Sequence, residues 1–192
     1  VCSSPSLIER TMHYISLNTA ASLSGLSKRT LWRRVADGML RALSAGAGER
    51  TGVALDDAIA LSRLRLSPDD GELVVAADAG DPDAQCDLAL MFLAQDYAES
   101  ALPWLEAAAG QYHAEAMHWL GRCYISGKGV PADEKTGADW ISKAASRGHS
   151  TASLMVRYLE SSDRPREPAA VEAALDAIER KVVLSVLDET AH

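Results

Sequence analysis

Five histidines (His13, His113, His118, His149 and His192) and three cysteines (Cys2, Cys86 and Cys123) are the side chains best equipped for metal binding or nucleophilic work. Their spacing suits neither task. The cysteines are odd in number and form no Cys-x-x-Cys or mixed Cys/His pattern, which argues against a disulfide framework and against a zinc site. His118 lies one helical turn from Glu115, with no further metal-type residue near it in sequence. His113 and His149 recur at one position of a repeated segment, which points to turn architecture more readily than to a ligand pair. The chain has no P-loop, no dinucleotide-binding glycine pattern and no nucleophile elbow. We therefore expect no catalytic residue, no metal site and no cofactor. What remains is charge: Lys28, Arg29 and Arg33 fall within one short segment, where they are available to solvent or to phosphate.

The elements around those cations can be read from the sequence. Asn18 or Thr19 can cap a short helix carrying Ala20, Ala21 and Leu23, and Gly25 makes a turn. Ser27 is a good cap for a second helix, Lys28 to Ala36, ended by Gly38. Leu31 and Val35, one turn apart, face the first helix, so Lys28, Arg29 and Arg33 project elsewhere. Two short helices joined by a glycine-containing turn form a helix-turn-helix arrangement. An apolar stretch (Met39–Leu43), a glycine-rich turn (Ser44–Gly52) and Val53-Ala54-Leu55 then suit a two-stranded wing. Asp56–Leu66 suits a further helix.

Beyond this segment a helical pattern recurs, in Ala76–Phe92, Ala108–Tyr124 and Ala144–Leu159. Aligned on Ala84, Ala116 and Ala152, the copies lie 32 and then 36 residues apart. Each unit is two amphipathic helices, too small to bury its own apolar face and obliged to stack on its neighbours. The small alanines let helices approach closely, while Leu88, Leu120 and Val156 fill the space beside them. Gly80 and Gly148 are placed to end helices in the left-handed conformation. Tyr112 occupies the same slot, where a side chain is strained, so an altered turn is expected there. Gly127 and Gly129 make a tight connection, and Pro131 followed by Asp133 suits the next helix start. After a polar, proline-containing hinge (Ser161–Pro168), Ala169–Glu189 reads as one helix with Val171, Leu175, Ile178, Val182 and Val186 on a face. That helix either caps the array by packing on Leu154–Leu159 or supplies a dimer contact.

Both halves carry family resemblances. Residues His113–Gly148 resemble a Sel-one-like repeat (SLR), a relative of the tetratricopeptide repeats. The matching residues are Ala114, Ala116, Leu120-Gly121, Tyr124, Gly127, Gly129-Val130, Asp133, Ala138, Trp140, Lys143-Ala144-Ala145 and Gly148. A degenerate copy runs from Asp81 to Tyr112, and the resemblance covers Glu72 to Leu159. The N-terminal segment resembles the winged helix-turn-helix of the MerR and excisionase-like families, on Ile15, Ala20-Ala21, Leu23, Gly25-Leu26-Ser27, Arg29-Thr30-Leu31, Arg33, Gly38 and Leu40. In those families the helix aligned with Lys28–Asp37 enters the major groove and the wing touches the phosphate backbone. The resemblance thus implies Lys28, Arg29, Trp32, Arg33 and Arg34 as DNA contacts, with Arg50 in the wing. Some SLR relatives carry cysteine pairs within each repeat and are linked to β-lactam binding. Cys86 and Cys123 do not repeat that spacing.

Charge divides along the same line. Residues 13–66 hold eight Lys or Arg against four acids, and residues 67–192 hold ten against twenty-two. An acidic array repels nucleic acid and favours a basic partner, whereas the basic segment attracts nucleic acid. The expected fold is mainly α: a winged helix-turn-helix (13–66), SLR helical repeats (67–161), then a hinge and C-terminal capping helix (162–192). Residues 1–12 are expected to be a disordered tail or a mis-assigned start, since Val1 is not an initiator methionine. With no signal-peptide pattern and no apolar stretch of membrane-span length, a cytoplasmic, bacterial-type protein is expected. The leading function is a DNA-binding regulator or adaptor whose array recruits a protein or peptide, with a possible homodimer through the C-terminal helix. An interaction scaffold without DNA binding is second, and a β-lactam-recognising hydrolase is the weakest.

Overall fold

The computed structural model describes residues 12–43, 51–67 and 69–190. The expectations for residues 1–11, for Arg50 and for most of the wing turn lie outside those residues. The chain folds as two compact units that divide between Asp78 and Ala79.

The first unit begins with β1 (Tyr14–Ser16), α1 (Leu17–Ser24) and α2 (Lys28–Ala36). It continues with β2 (Ala42–Leu43), β3 (Gly52–Ala54), α3 (Leu55–Ala60) and α4 (Asp70–Ala79). The strands form an antiparallel sheet of order β1-β3-β2, with Ile15 opposite Val53 and Ala42 opposite Val53 on the other edge. Strand β1 was not expected from the sequence, and it explains the start of α1. The cap is neither Asn18 nor Thr19 but Ser16, the last residue of β1, whose hydroxyl accepts from the Thr19 N–H at 3.2 Å. Pairing with β3 holds Ser16 in the extended conformation that a cap requires. The second helix has the expected bounds, with Ser27 accepting from the Thr30 N–H at 3.1 Å. Between them Gly25 takes φ +69°, and a Cβ there would stand 2.5 Å from the Arg63 guanidinium. Helix α3 is shorter than the Asp56–Leu66 expected. Past Leu61 the Arg63 N–H bonds to the Leu23 carbonyl at 2.9 Å, which draws the chain over the end of α1.

Ile15, Leu23, Leu31 and Val53 are fully buried and form the centre of this small core. Each such side chain contributes about 2 kcal/mol relative to exposure. Helix α4 belongs with this unit through specific bonds. The Asp78 carboxylate accepts from the Ser16 N–H at 3.0 Å and from the Thr19 hydroxyl. Gly71 lies close enough that a Cβ would meet Leu55 at 3.3 Å.

The second unit is wholly helical among the described residues. It comprises α5 (Pro82–Ala94), α6 (Ala98–Gly110), α7 (Ala114–Ser126), α8 (Glu134–Ser146), α9 (Ser150–Leu159) and α10 (Pro168–Thr190). Each of α5 to α9 packs on the next, giving a helical repeat fold. Ala116, Ala152, Leu88 and Leu120 are fully buried and Ala84 nearly so, in the roles their recurrence implied, while Val156 is only half-buried. The closest approach is made by glycines: a Cβ on Gly137 would stand 2.7 Å from the Gly121 carbonyl oxygen and 2.5 Å from Ile125. The turn at Tyr112 is not altered. Tyr112 takes φ +67°, as Gly80 (+100°) and Gly148 (+87°) do, and His113 N–H bonds to the Ala108 carbonyl as His149 N–H does to Ala144. The Arg147 guanidinium lies over the Tyr112 ring at 4.2 Å, which offsets part of the strain. Asp133 caps α8, accepting from the Thr136 N–H at 3.1 Å. Helix α10 packs on α9 and also on α7.

Candidate functional site

The sequence singled out α2, and its side chains divide by helical geometry. At about 100° per residue, Lys28, Trp32, Arg29 and Arg33 follow one another around one side, while Leu31, on the other, is fully buried. Lys28, Arg29 and Arg33 are exposed, and Trp32 keeps 48% of its surface in solvent. Arg34 is partly covered and lies on the far flank of Leu31, so it does not share that face. No salt bridge engages these cations among the described residues. By contrast Arg41, which the sequence did not single out, is committed internally. Its Nη2 meets Asp57 Oδ1 at 2.6 Å and its N–H meets Asp57 Oδ2 at 2.7 Å. The bond to Arg41 holds the Asp57 carboxyl below its usual range.

In the second unit the recurring histidines are structural. His113 Nδ1 accepts from the Ala116 N–H at 3.2 Å and caps α7, and His149 Nδ1 does the same for α9 at 3.1 Å. That leaves Nε2 of each ring to reach one repeat back: His113 to Asp83 and His149 to Glu115, both at 2.8 Å. In the first copy Asp81 holds the capping slot, accepting from the Ala84 N–H at 2.8 Å. The ladder thus ties each repeat to the one before it. Glu115 also accepts from Trp119 Nε1 at 2.6 Å. The bond from His149, assisted by Trp119, outweighs burial and lowers the Glu115 carboxyl to about 2.

A second cluster went unrecognised in the sequence. His118, 1% exposed, stacks on His149 at 4.5 Å and meets Glu179 Oε1 through Nε2 at 2.8 Å. Arg122, 6% exposed, donates from Nη1 to Glu179 Oε2 at 2.6 Å and from Nη2 to Asp176. Burial alone would raise the Glu179 carboxyl, but the bond from His118 and the charge of Arg122 bring it below its usual range. Two signals were available, the first being that Arg122 stands where the aligned copies carry Leu90 and Tyr158. The other was the acidic stripe Glu172, Asp176 and Glu179 beside the apolar face of the C-terminal helix.

The helix pair α7–α8, with its glycine contact, its histidine cap on α7 and its looped connection, now has a counterpart among known proteins. A Sel1 repeat spans residues 114–149. That family model covers the copy with the Gly127–Gly129 loop. Neither the curated proteins compared nor the solved structures gave a match. Sel1 repeats generally mediate protein–protein interaction. Among the described residues no group of three or more His, Cys, Asp or Glu is arranged to hold a metal ion. Burial pushes the Cys86 thiol up to about 12 and the Cys123 thiol up to about 11, so neither is an activated nucleophile. No described helix is long and apolar enough to cross a membrane.

Proposed function

We propose that this chain is a DNA-binding adaptor of bacterial cytoplasm: α2 contacts DNA, and the helical repeats hold a second protein. The observation that carries the DNA reading is the exposed side of α2, where Lys28, Arg29 and Arg33 surround a half-exposed Trp32 with no salt-bridge partner among the described residues. About half of the indole is left in solvent among these cations, where it adds nothing to the core. It suits a surface that meets phosphate and base edges. The Gly25 turn and the capped start of α2 support a helix-turn-helix use of this segment, and the β2–β3 hairpin supports a wing. Three cations give weak affinity per protomer, so operator recognition calls for two copies. Val183, Leu184 and Leu187 on α10, 55–61% exposed, favour that helix as the dimer contact.

The test is DNA retardation at low salt with the wild type and the double variant Lys28→Ala/Arg33→Ala. The variant is expected to bind more weakly and to lower the salt slope by about one per lost phosphate contact. Absence of retardation by the wild type at low salt would sink the DNA reading and leave the repeat-based interaction role standing alone.

A further inference from the structure

Helix α10 is held lightly for its length. Of its 23 residues only Val171 and Leu175, both near its start, are fully buried among the described side chains. The 13-residue α7 buries Met117, Leu120, Cys123 and Ile125 besides its small residues. The rest of the hold on α10 is ionic. Arg122 binds Asp176 and Glu179, His118 Nε2 meets Glu179 Oε1 at 2.8 Å, and Lys128 Nζ meets Glu172 Oε1 at 3.2 Å. Those three carboxylate side chains are 24–42% exposed, so water competes for each bond. Past Glu179 the helix stands off from the repeats. Val183, Leu184 and Leu187 are 55–61% exposed, and a cavity of about 590 Å³ lies between α10 and helices α7 and α9, lined by Trp119, Thr151, Val183 and Leu184.

A helix seated by one end, on two apolar side chains and a set of half-wet ion pairs, opens before the rest of its unit does. We propose that α10 is a releasable strap. Closed, it covers the face shared by α7 and α9; open, when Glu172, Asp176 and Glu179 let go, it leaves that face to solvent. Arg164 fixes the root of the strap, donating from Nε to the Leu159 carbonyl at 2.9 Å and from Nη2 to Glu134 of α8. The exposed residues 165–167, between that anchor and α10, are the pivot. The uncovered face is suited to water. Arg122, 6% exposed when the strap is closed, stands where the aligned copies carry Leu90 and Tyr158, and hydration of its charge offsets part of the ion pairs lost on opening. The proposal rests on the protein-binding reading of the repeats and adds its regulation. A partner of this face binds only the open fraction, so closure weakens its apparent affinity.

Native-state hydrogen exchange of the full chain, read by mass spectrometry, tests the strap. The amides of residues 173–181 are expected to exchange through a local opening, well before those of α7 and α8. Glu179→Gln keeps the size of the side chain but weakens its bonds to Arg122 and His118. It should speed exchange of residues 173–181 on the order of tenfold and leave α7 and α8 unchanged. Added salt should speed the same amides. Lys181→Gln, at an exposed position on the same helix, is the control and should leave every rate unchanged. Exchange of residues 173–181 no faster than that of α7 would show that α10 leaves only with the whole unit, overturning the proposal. An effect of Glu179→Gln confined to residues past 181 is fraying of a helix end and would overturn it too, as would an equal effect of the control. No partner enters the measurement, so these failures are distinct from a failure of the protein-binding reading.

Discussion

Arg122→Ala is expected to destabilise the second unit by about 2 kcal/mol, and the figure can be worked from the geometry. Breaking a buried ion pair from one side costs about 3–5 kcal/mol when the remaining charge stays dry. Here the survivors are not dry: the Asp176 and Glu179 side chains are 42% and 24% exposed and regain water when the guanidinium leaves. That brings the cost toward the lower end of two charge-assisted hydrogen bonds, each worth about 1.5 kcal/mol, less the hydration recovered. Glu179→Ala removes the acceptor of both Arg122 Nη1 and His118 Nε2, groups that are almost wholly buried, and is expected to cost as much. The double variant removes the charge and its partner together, so a coupling energy of about 1–2 kcal/mol is expected across the cycle. Urea unfolding of the four proteins at pH 7, followed by far-ultraviolet circular dichroism, measures it. Additivity of the two single effects within about 0.5 kcal/mol would refute the view that this cluster holds α10 to α7.

Two further outcomes follow from the repeats. Glu115 titrates at about 2 in the fold against an ordinary 4.5, so its stabilisation is complete above pH 4.5 and is lost as pH falls toward 2. With the side chain 45% exposed, screening reduces that contribution to about 1 kcal/mol. Glu115→Gln should therefore flatten the fall of the urea midpoint across that window, and an unchanged slope would count against the His149–Glu115 bond. Among the glycines, Gly148→Ala meets no atom within 4 Å but must hold φ +87°, an expected loss of about 1 kcal/mol. Gly137→Ala has no such strain yet drives a methyl against the Gly121 carbonyl, an expected loss of about 1–3 kcal/mol. Thermal unfolding that ranks Gly148→Ala as the more damaging would show that α7 and α8 do not rely on this contact.

Much of the fold was legible because its signals are local. The cap at Ser27, the bounds of α2, the Asp133 start of α8 and the span of α10 all follow from residues within a turn of the feature they specify. The misreadings have a common cause in pairing at a distance. Ser16 rather than Asn18 or Thr19 caps α1 because β3, far along the chain, fixes it in an extended conformation. Tyr112 keeps the left-handed turn because the flanking helices hold the turn and Arg147 covers the ring. His118 looked solitary because its partner, Glu179, lies in another helix altogether.

By itself, the sequence determined that this protein repeats. The recurring alanines, leucines and glycines dictate paired helices that must stack, since an amphipathic pair leaves an apolar face uncovered until another pair meets it. It also determined where basic residues concentrate, because charge is carried by composition and needs no fold to be counted. Only the tertiary structure decided which charges are available. It spent Arg41 on Asp57 and Arg122 on α10, and it left Lys28, Arg29 and Arg33 facing solvent. It likewise turned two repeated histidines into caps that tie one repeat to the last. The physical reason is that a charged side chain is defined by its nearest counter-charge, and that neighbour is chosen by packing rather than by position along the chain.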